Sequence, residues 1–176
     1  MTELITAAFH PLYAERLHLL DGVPGPGVGD TPETVQRRLA FDAPFGEPYL
    51  PLVATEDLAV PGPNGPVPVR IYRRPEGADA PSPALVWIHG GAFMYGDLDV
   101  PEADHFSRQM TDRTGTVVIS VDYRLCDDNT HLPVPHDDCY AVYTWLRQHA
   151  RELGIDPGRI AVGGGSAGGN LAASVA

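Results

Sequence analysis

"RIAVGGGSAGGNLAASVA", Arg159 to Ala176, is the stretch on which the reading of this 176-residue chain turns. Ile160 to Val162 is a short apolar run with strand character, and NLAASVA after the glycines favours a helix. Between them, Gly164-Gly165-Ser166-Ala167-Gly168 fits G-x-S-x-G at a strand-to-helix junction. In a nucleophile elbow this turn forces the serine into a strained, exposed position. The flanking glycines are needed because a Cβ there would strike the neighbouring strand or helix. On this reading Ser166 is the nucleophile, and Gly164, Gly165 and Gly168 give the turn its room. The N–H of Ala167, at the start of the helix, then faces the oxygen of the carbonyl under attack.

The same letters carry a rival reading. Gly163 to Gly168 matches G-x-G-x-x-G, the phosphate-cradling turn of a dinucleotide-binding module. That motif normally follows the first strand of its unit and expects an acidic residue about 20 positions later. Here several strand-like runs precede it, and the sequence ends sooner. A third reading gives the glycines no task beyond tight packing of strand on helix.

A second motif separates them. "HGGAF", His89 to Phe93, follows the apolar run ALVWI (Ala84 to Ile88) and has the glycines of an oxyanion loop. In such a loop the backbone N–H groups of Gly90, Gly91 or Ala92 approach a substrate oxygen with no side chain in the way. His89 reads as an organiser of that loop through hydrogen bonds, not as the general base. Two donor loops at two strand ends make one site.

Outward from these motifs, ALVWI, a helix over Pro101 to Thr114 closed by Gly115, TVVISV (Thr116 to Val121), a helix capped by Asp137 or Asp138 and ended by Gly154, and IAV alternate strand with helix. That order predicts a mostly parallel sheet with right-handed crossovers. Upstream, EDLAV and VPVRIYR flank the turn-rich PGPNGP as an antiparallel hairpin despite Pro68. Leu4 to Leu20 carries a loose helical period, and Thr31-Pro32-Glu33 opens a second helix.

HGGAFMYGD (His89 to Asp97), VDYRL (Val121 to Leu125), PVPHDDCYA (Pro133 to Ala141) and GGGSAGGN (Gly163 to Asn170), in this order and spacing, resemble the hormone-sensitive lipase-like family of α/β-hydrolases. The resemblance runs from about the hairpin to the last residue. It implies an α/β-hydrolase fold: a mostly parallel sheet with an N-terminal antiparallel hairpin, residues 1–50 as a helical cap segment and 51–176 as the N-terminal part of the hydrolase domain. It also implies hydrolysis of small-molecule carboxylic esters with short to medium acyl chains, through an acyl-enzyme, with no metal and no cofactor. Ser166 is then the catalytic nucleophile, and Gly90, Gly91 or Ala92 with Ala167 form the oxyanion hole. The chain departs from the family pattern at Gly165, where Asp is usual, and after Tyr123-Arg124-Leu125, where Cys126-Asp127-Asp128 replaces the usual Ala-Pro-Glu with one residue added.

Composition narrows the alternatives. A formal net charge of −11, from 23 acidic against 12 basic side chains, argues against nucleic acid and anionic membrane surfaces as partners. The N-terminus shows neither a secretory signal nor a membrane span, which predicts a cytoplasmic protein with Cys126 and Cys139 as free thiols. A serine hydroxyl also needs a base, and the base a carboxylate, in the chain order Ser, acid, His. Only ten residues follow Ser166, none acidic or histidine, and His10, His18, His105, His131, His136 and His149 hold no position that the family uses for the base. The expectation is therefore a C-terminally truncated, inactive esterase part, prone to self-associate through an exposed sheet edge. The alternative from another class is a non-catalytic ligand-binding or interaction protein derived from the same fold.

Overall fold

The computed structural model describes residues 9–25, 29–76 and 81–176, which fall into two compact units, Met1–Pro48 and Tyr49–Ala176. The first unit contains helix α1 (Pro11–Ala14), a 3-10 turn (Leu17–Leu20) and helix α2 (Pro32–Asp42), none of which buries a residue. Side chains reaching backbone carbonyls hold it together. Arg16 donates to the carbonyls of Phe41 in the last turn of α2 and of Ala43 and Pro44 just past it, and lies 3.8 Å from the centre of the Phe45 ring. Arg37 donates to the carbonyls of His18 and Asp21, and Thr31 and Thr34 close the N-terminus of α2 with a reciprocal capping box. The single helix expected over Leu4 to Leu20 is corrected. Pro11 lacks an N–H and its ring crowds the preceding turn, so a helix begins there and cannot run through it. The carbonyl of Glu15 is taken up by His18 Nδ1, and the chain tightens into the 3-10 turn. Residues 4–8 of the expected helix lie outside the described residues.

The second unit holds a five-stranded sheet in the order β1-β2-β4-β3-β5. Strands β1 (Ala54–Val60) and β2 (Val67–Arg73) form the expected hairpin, with Ala54 opposite Arg73 and Val60 opposite Val67. β2 pairs antiparallel with β4 (Val117–Val121), whereas β3 (Ser82–Ile88) pairs parallel with both β4 and β5 (Ile155–Gly164). Every residue of β4 is buried, as a strand covered on both faces requires.

On one face Val86, Ile88, Ile119 and Val121 pack into a core with Cys139, Val142 and Leu146 of helix α4 (Val134–His149) and Leu171, Ala172 and Val175 of helix α5 (Ala167–Val175). On the other, Leu85, Trp87 and Val118 pack with Met110 of helix α3 (Pro101–Thr114), whose C-terminus Gly115 caps at φ 71°. The ordered strands therefore bring their C-terminal ends, Ile88 and Gly164, side by side.

Helix α4 corrects two expectations. It begins at Val134, so Asp137 lies in its first turn and Asp138 is not its cap. Asp138 is fully buried and bonds the Arg124 backbone N–H at 3.0 Å and the Arg124 guanidinium at 2.5 Å. The helix leaves at Ala150, and Gly154 (φ 67°) instead closes the turn that launches β5.

Candidate active site

Two loops meet where β3 and β5 end. Ser166 is exposed, with φ 49° and ψ −116°, two residues past the end of β5 and immediately before α5. A non-glycine residue at that φ is strained, and such strain persists only where the surroundings over-determine it. The surroundings are the glycines. A Cβ on Gly164 would lie 2.5 Å from the Ile88 carbonyl oxygen, and one on Gly168 would lie 2.0 Å from that atom and 2.5 Å from the His89 oxygen. Their missing side chains are thus consumed by close contact with the end of β3, which supports the elbow over a phosphate cradle. The Gly165 N–H donates to the Ile88 oxygen at 3.2 Å and ties the turn down.

The His89 to Phe93 loop lies against this elbow: a Cβ placed on Gly90 would stand 3.4 Å from Ser166 Cβ. Three of its peptide planes are fixed by named partners. The His89 carbonyl accepts from the Tyr123 hydroxyl at 3.0 Å, and the Gly90 N–H of the same peptide donates to Glu102 Oε2 at 2.7 Å. Burial pushes the Tyr123 phenol well above its ordinary pKa, which keeps it a donor. The Gly90 carbonyl accepts from His89 Nδ1 at 2.6 Å, so that nitrogen carries the proton. A trans peptide directs its N–H opposite to its C=O, so the Gly91 N–H faces away from the imidazole. The Gly91 carbonyl accepts from Met94 and Tyr95 N–H, both at 2.9 Å, which fixes the Ala92 N–H in the same manner. Gly91 has φ 122°, and a Cβ on it would lie 1.9 Å from the Tyr95 oxygen, so only glycine fits.

Gly91, Ala92 and Ala167 N–H therefore donate to no protein acceptor among the described residues, whereas Gly90 N–H is already committed to Glu102. Of the donors that the sequence nominates in the loop, Gly90 is the one that already has an acceptor, Glu102. His89 is buried, stacks on Tyr123 at 4.5 Å and makes its one hydrogen bond within the loop, the arrangement of an organiser.

Among the described residues Ser166 Oγ has no hydrogen-bond partner, a histidine included. His136 and His149 are engaged on α4 itself or with α5, through Ser174 and Trp145 carbonyls. The loop after Leu125, where the sequence departs from the family pattern, is ordered by Asp127, whose carboxylate accepts from the Asn129 and Thr130 N–H groups at 2.7 and 2.6 Å. That contact lowers the Asp127 pKa. Sequence reasoning missed Glu102, because it lies 12 residues from Gly90 inside an unremarkable helical turn, and gave Tyr123 no task although VDYRL was singled out.

A family model described as the alpha/beta hydrolase fold matches residues 85–176. Esterase LipI of Mycobacterium tuberculosis is 41% identical over 162 residues, which cover 91% of this chain and 49% of that protein. Carboxylic ester hydrolase LipN of the same organism is 46% identical over 125 residues, 70% of this chain and 32% of that one. Among solved structures, a bacterial heroin esterase superposes with a TM-score of 0.75 at 34% identity, covering 97% of this chain and 53% of its own. The chain thus spans about half the length, or less, of these relatives. No helix among the described residues is long and apolar enough to cross a membrane.

Proposed function

Because this chain belongs to the α/β-hydrolase fold family, in its hormone-sensitive lipase-like branch, we propose that it carries the nucleophile and oxyanion hole of a carboxylic ester hydrolase. The observation that carries this is the set of unspent N–H donors of Gly91, Ala92 and Ala167 around an exposed, strained Ser166. Ser166 Oγ forms a bond to the ester carbonyl carbon as its proton passes to a base. The carbonyl oxygen becomes an oxyanion held by the three N–H groups. As it re-forms the carbonyl, the C–O bond to the alcohol breaks, the base gives its proton to the departing alcohol oxygen, and an acyl-serine remains. Water attack then releases the acid and regenerates Ser166. The substrates are small-molecule esters with short to medium acyl chains. No residue of this chain is assigned as the base or its carboxylate, and turnover by the isolated 176 residues is expected to be slight.

In the same reading, residues 1–50 are the cap segment and 51–176 the N-terminal part of the hydrolase domain. The setting is the cytoplasm, with Cys126 and Cys139 as free thiols. The outer edge of β5, which pairs only with β3 among the described strands, is the route of self-association.

A boronic acid with a short alkyl chain tests the site without needing turnover, because its boron becomes tetrahedral on bonding a serine oxygen. Boron-11 NMR is expected to show a saturable tetrahedral signal for the chain and none for Ser166→Ala. A signal that survives the substitution, or none in the parent, refutes the assignment. Saturable carboxylate binding in place of an adduct would favour the ligand-binding alternative, for which the absence of a hydrogen-bond partner at Ser166 Oγ speaks.

A further inference from the structure

The Glu102 carboxylate does two things at once. Oε2 accepts the Gly90 N–H at 2.7 Å, and Oε1 occupies the space beside Gly165, where a Cβ on that glycine would lie 2.1 Å from it and 2.9 Å from Cδ. The residue is well anchored for this. It sits in the first turn of α3 behind Pro101, where the helix N-terminus favours an anion. Its own carbonyl accepts from Trp87 Nε1 at 3.1 Å, and the Trp87 ring stacks on Phe106 at 3.8 Å. The remaining constraints on the His89–Gly90 peptide come from one side only, the Tyr123 hydroxyl on its carbonyl.

We propose that Glu102 is the positioning residue of the oxyanion loop: it holds Gly90 against the nucleophile elbow by a charge-assisted hydrogen bond, from space that exists only because residue 165 has no side chain. Glu102 and Gly165 are therefore a matched pair. Any side chain at 165 evicts the carboxylate, since Glu102 is the flexible partner, and the loop loses its tether as surely as if Glu102 were replaced. With Gly90 released, its peptide turns about the Tyr123 bond, and the next two N–H groups in line, Gly91 and Ala92, lose their aim. The inference rests on the oxyanion reading for its functional meaning, while the tether itself does not.

The Gly90 amide resonance of the nitrogen-15-labelled chain reads the tether directly. Glu102→Gln, which replaces the charged acceptor by a neutral amide, is expected to move it. Gly165→Ala, with Glu102 intact, shifts the resonance toward its position in Glu102→Gln, while Gly163→Ala, whose Cβ meets Leu85 and Trp87 at an ordinary 3.5 Å, leaves it in place. A Gly90 amide unmoved by Glu102→Gln, or unmoved by Gly165→Ala, overturns the proposal. The boronate dissociation constant supplies the functional arm: Glu102→Gln and Gly165→Ala should each raise it about tenfold, below the hundredfold or more expected for outright loss of an oxyanion donor. Unchanged affinity beside a shifted Gly90 resonance overturns the positioning role. Absence of any adduct in the parent sinks the hydrolase reading instead, and the Gly90 arm still decides the tether.

Discussion

Replacing Gly168 by Ala sets two physical arguments against each other. Gly168 is in the first turn of α5, and helix propensity alone has Ala stabilising a helix over Gly by about 1 kcal/mol. Tertiary contact has the opposite sign. The new Cβ would lie 2.0 Å from the Ile88 oxygen, 2.5 Å from the His89 oxygen and 2.6 Å from the Ile88 carbonyl carbon. These are backbone atoms at the end of β3, the strand that pairs with both β4 and β5, and no rotamer change moves them. Relief requires α5 to lift off the sheet by about an ångström. Forcing one methyl group into a packed interior costs about 1–3 kcal/mol. Backbone displacement puts this case at the upper end, so the net expectation is a loss of about 2 kcal/mol after the propensity gain. Gly163→Ala is the control, because its Cβ meets only side chains at 3.5 Å. Reduced chain entropy of the unfolded state should stabilise that variant by about 0.4–1 kcal/mol. Urea titration followed by the fluorescence of Trp87 and Trp145 measures both, provided the slope is unchanged. A Gly168→Ala chain as stable as the parent would refute the claim that close approach to β3 is what these glycines are for.

Two further outcomes follow from the loop and its surroundings. Tyr123→Phe leaves the buried His89 carbonyl without its 3.0 Å donor and should destabilise the chain by about 1–3 kcal/mol in the same titration; an unchanged midpoint would mean that the carbonyl is satisfied otherwise. Asp122 has a raised pKa, chiefly from burial and also from Asp97 and Asp99, against the lowering effects of His89 and Arg70. The folded state therefore holds this proton when the unfolded chain has released it, and stability falls as pH rises from the unfolded value of about 3.9 through the folded one. Asp122→Asn should raise the urea midpoint at pH 7 and leave it unchanged at pH 3, whereas an equal effect at both would show that ionisation is not involved.

The sequence by itself determined the alternation of strand and helix from Ala84 onward, the hairpin and the glycine-flanked turn at Ser166 between a strand and a helix. Each of these is written in neighbouring residues: a run of apolar side chains, a turn of glycines, a serine between a strand and a helix. It failed where a local signal competed with something adjacent or distant. Pro11 started a new helix inside the loose helical period, and α4 started three residues ahead of Asp137 while Asp138 bonded Arg124, 14 positions away. Only the tertiary structure decided that β3 lies between β4 and β5, that the elbow and the His89 loop meet, and which N–H groups remain unspent there. The backbone amides of Gly90, Gly91 and Ala92, of which Gly90 alone has an acceptor among the described residues, illustrate the reason. All three carry the same backbone donor, so their sequence cannot rank them, and the ranking is made by a glutamate carboxylate delivered from another helix into the space left by a missing side chain.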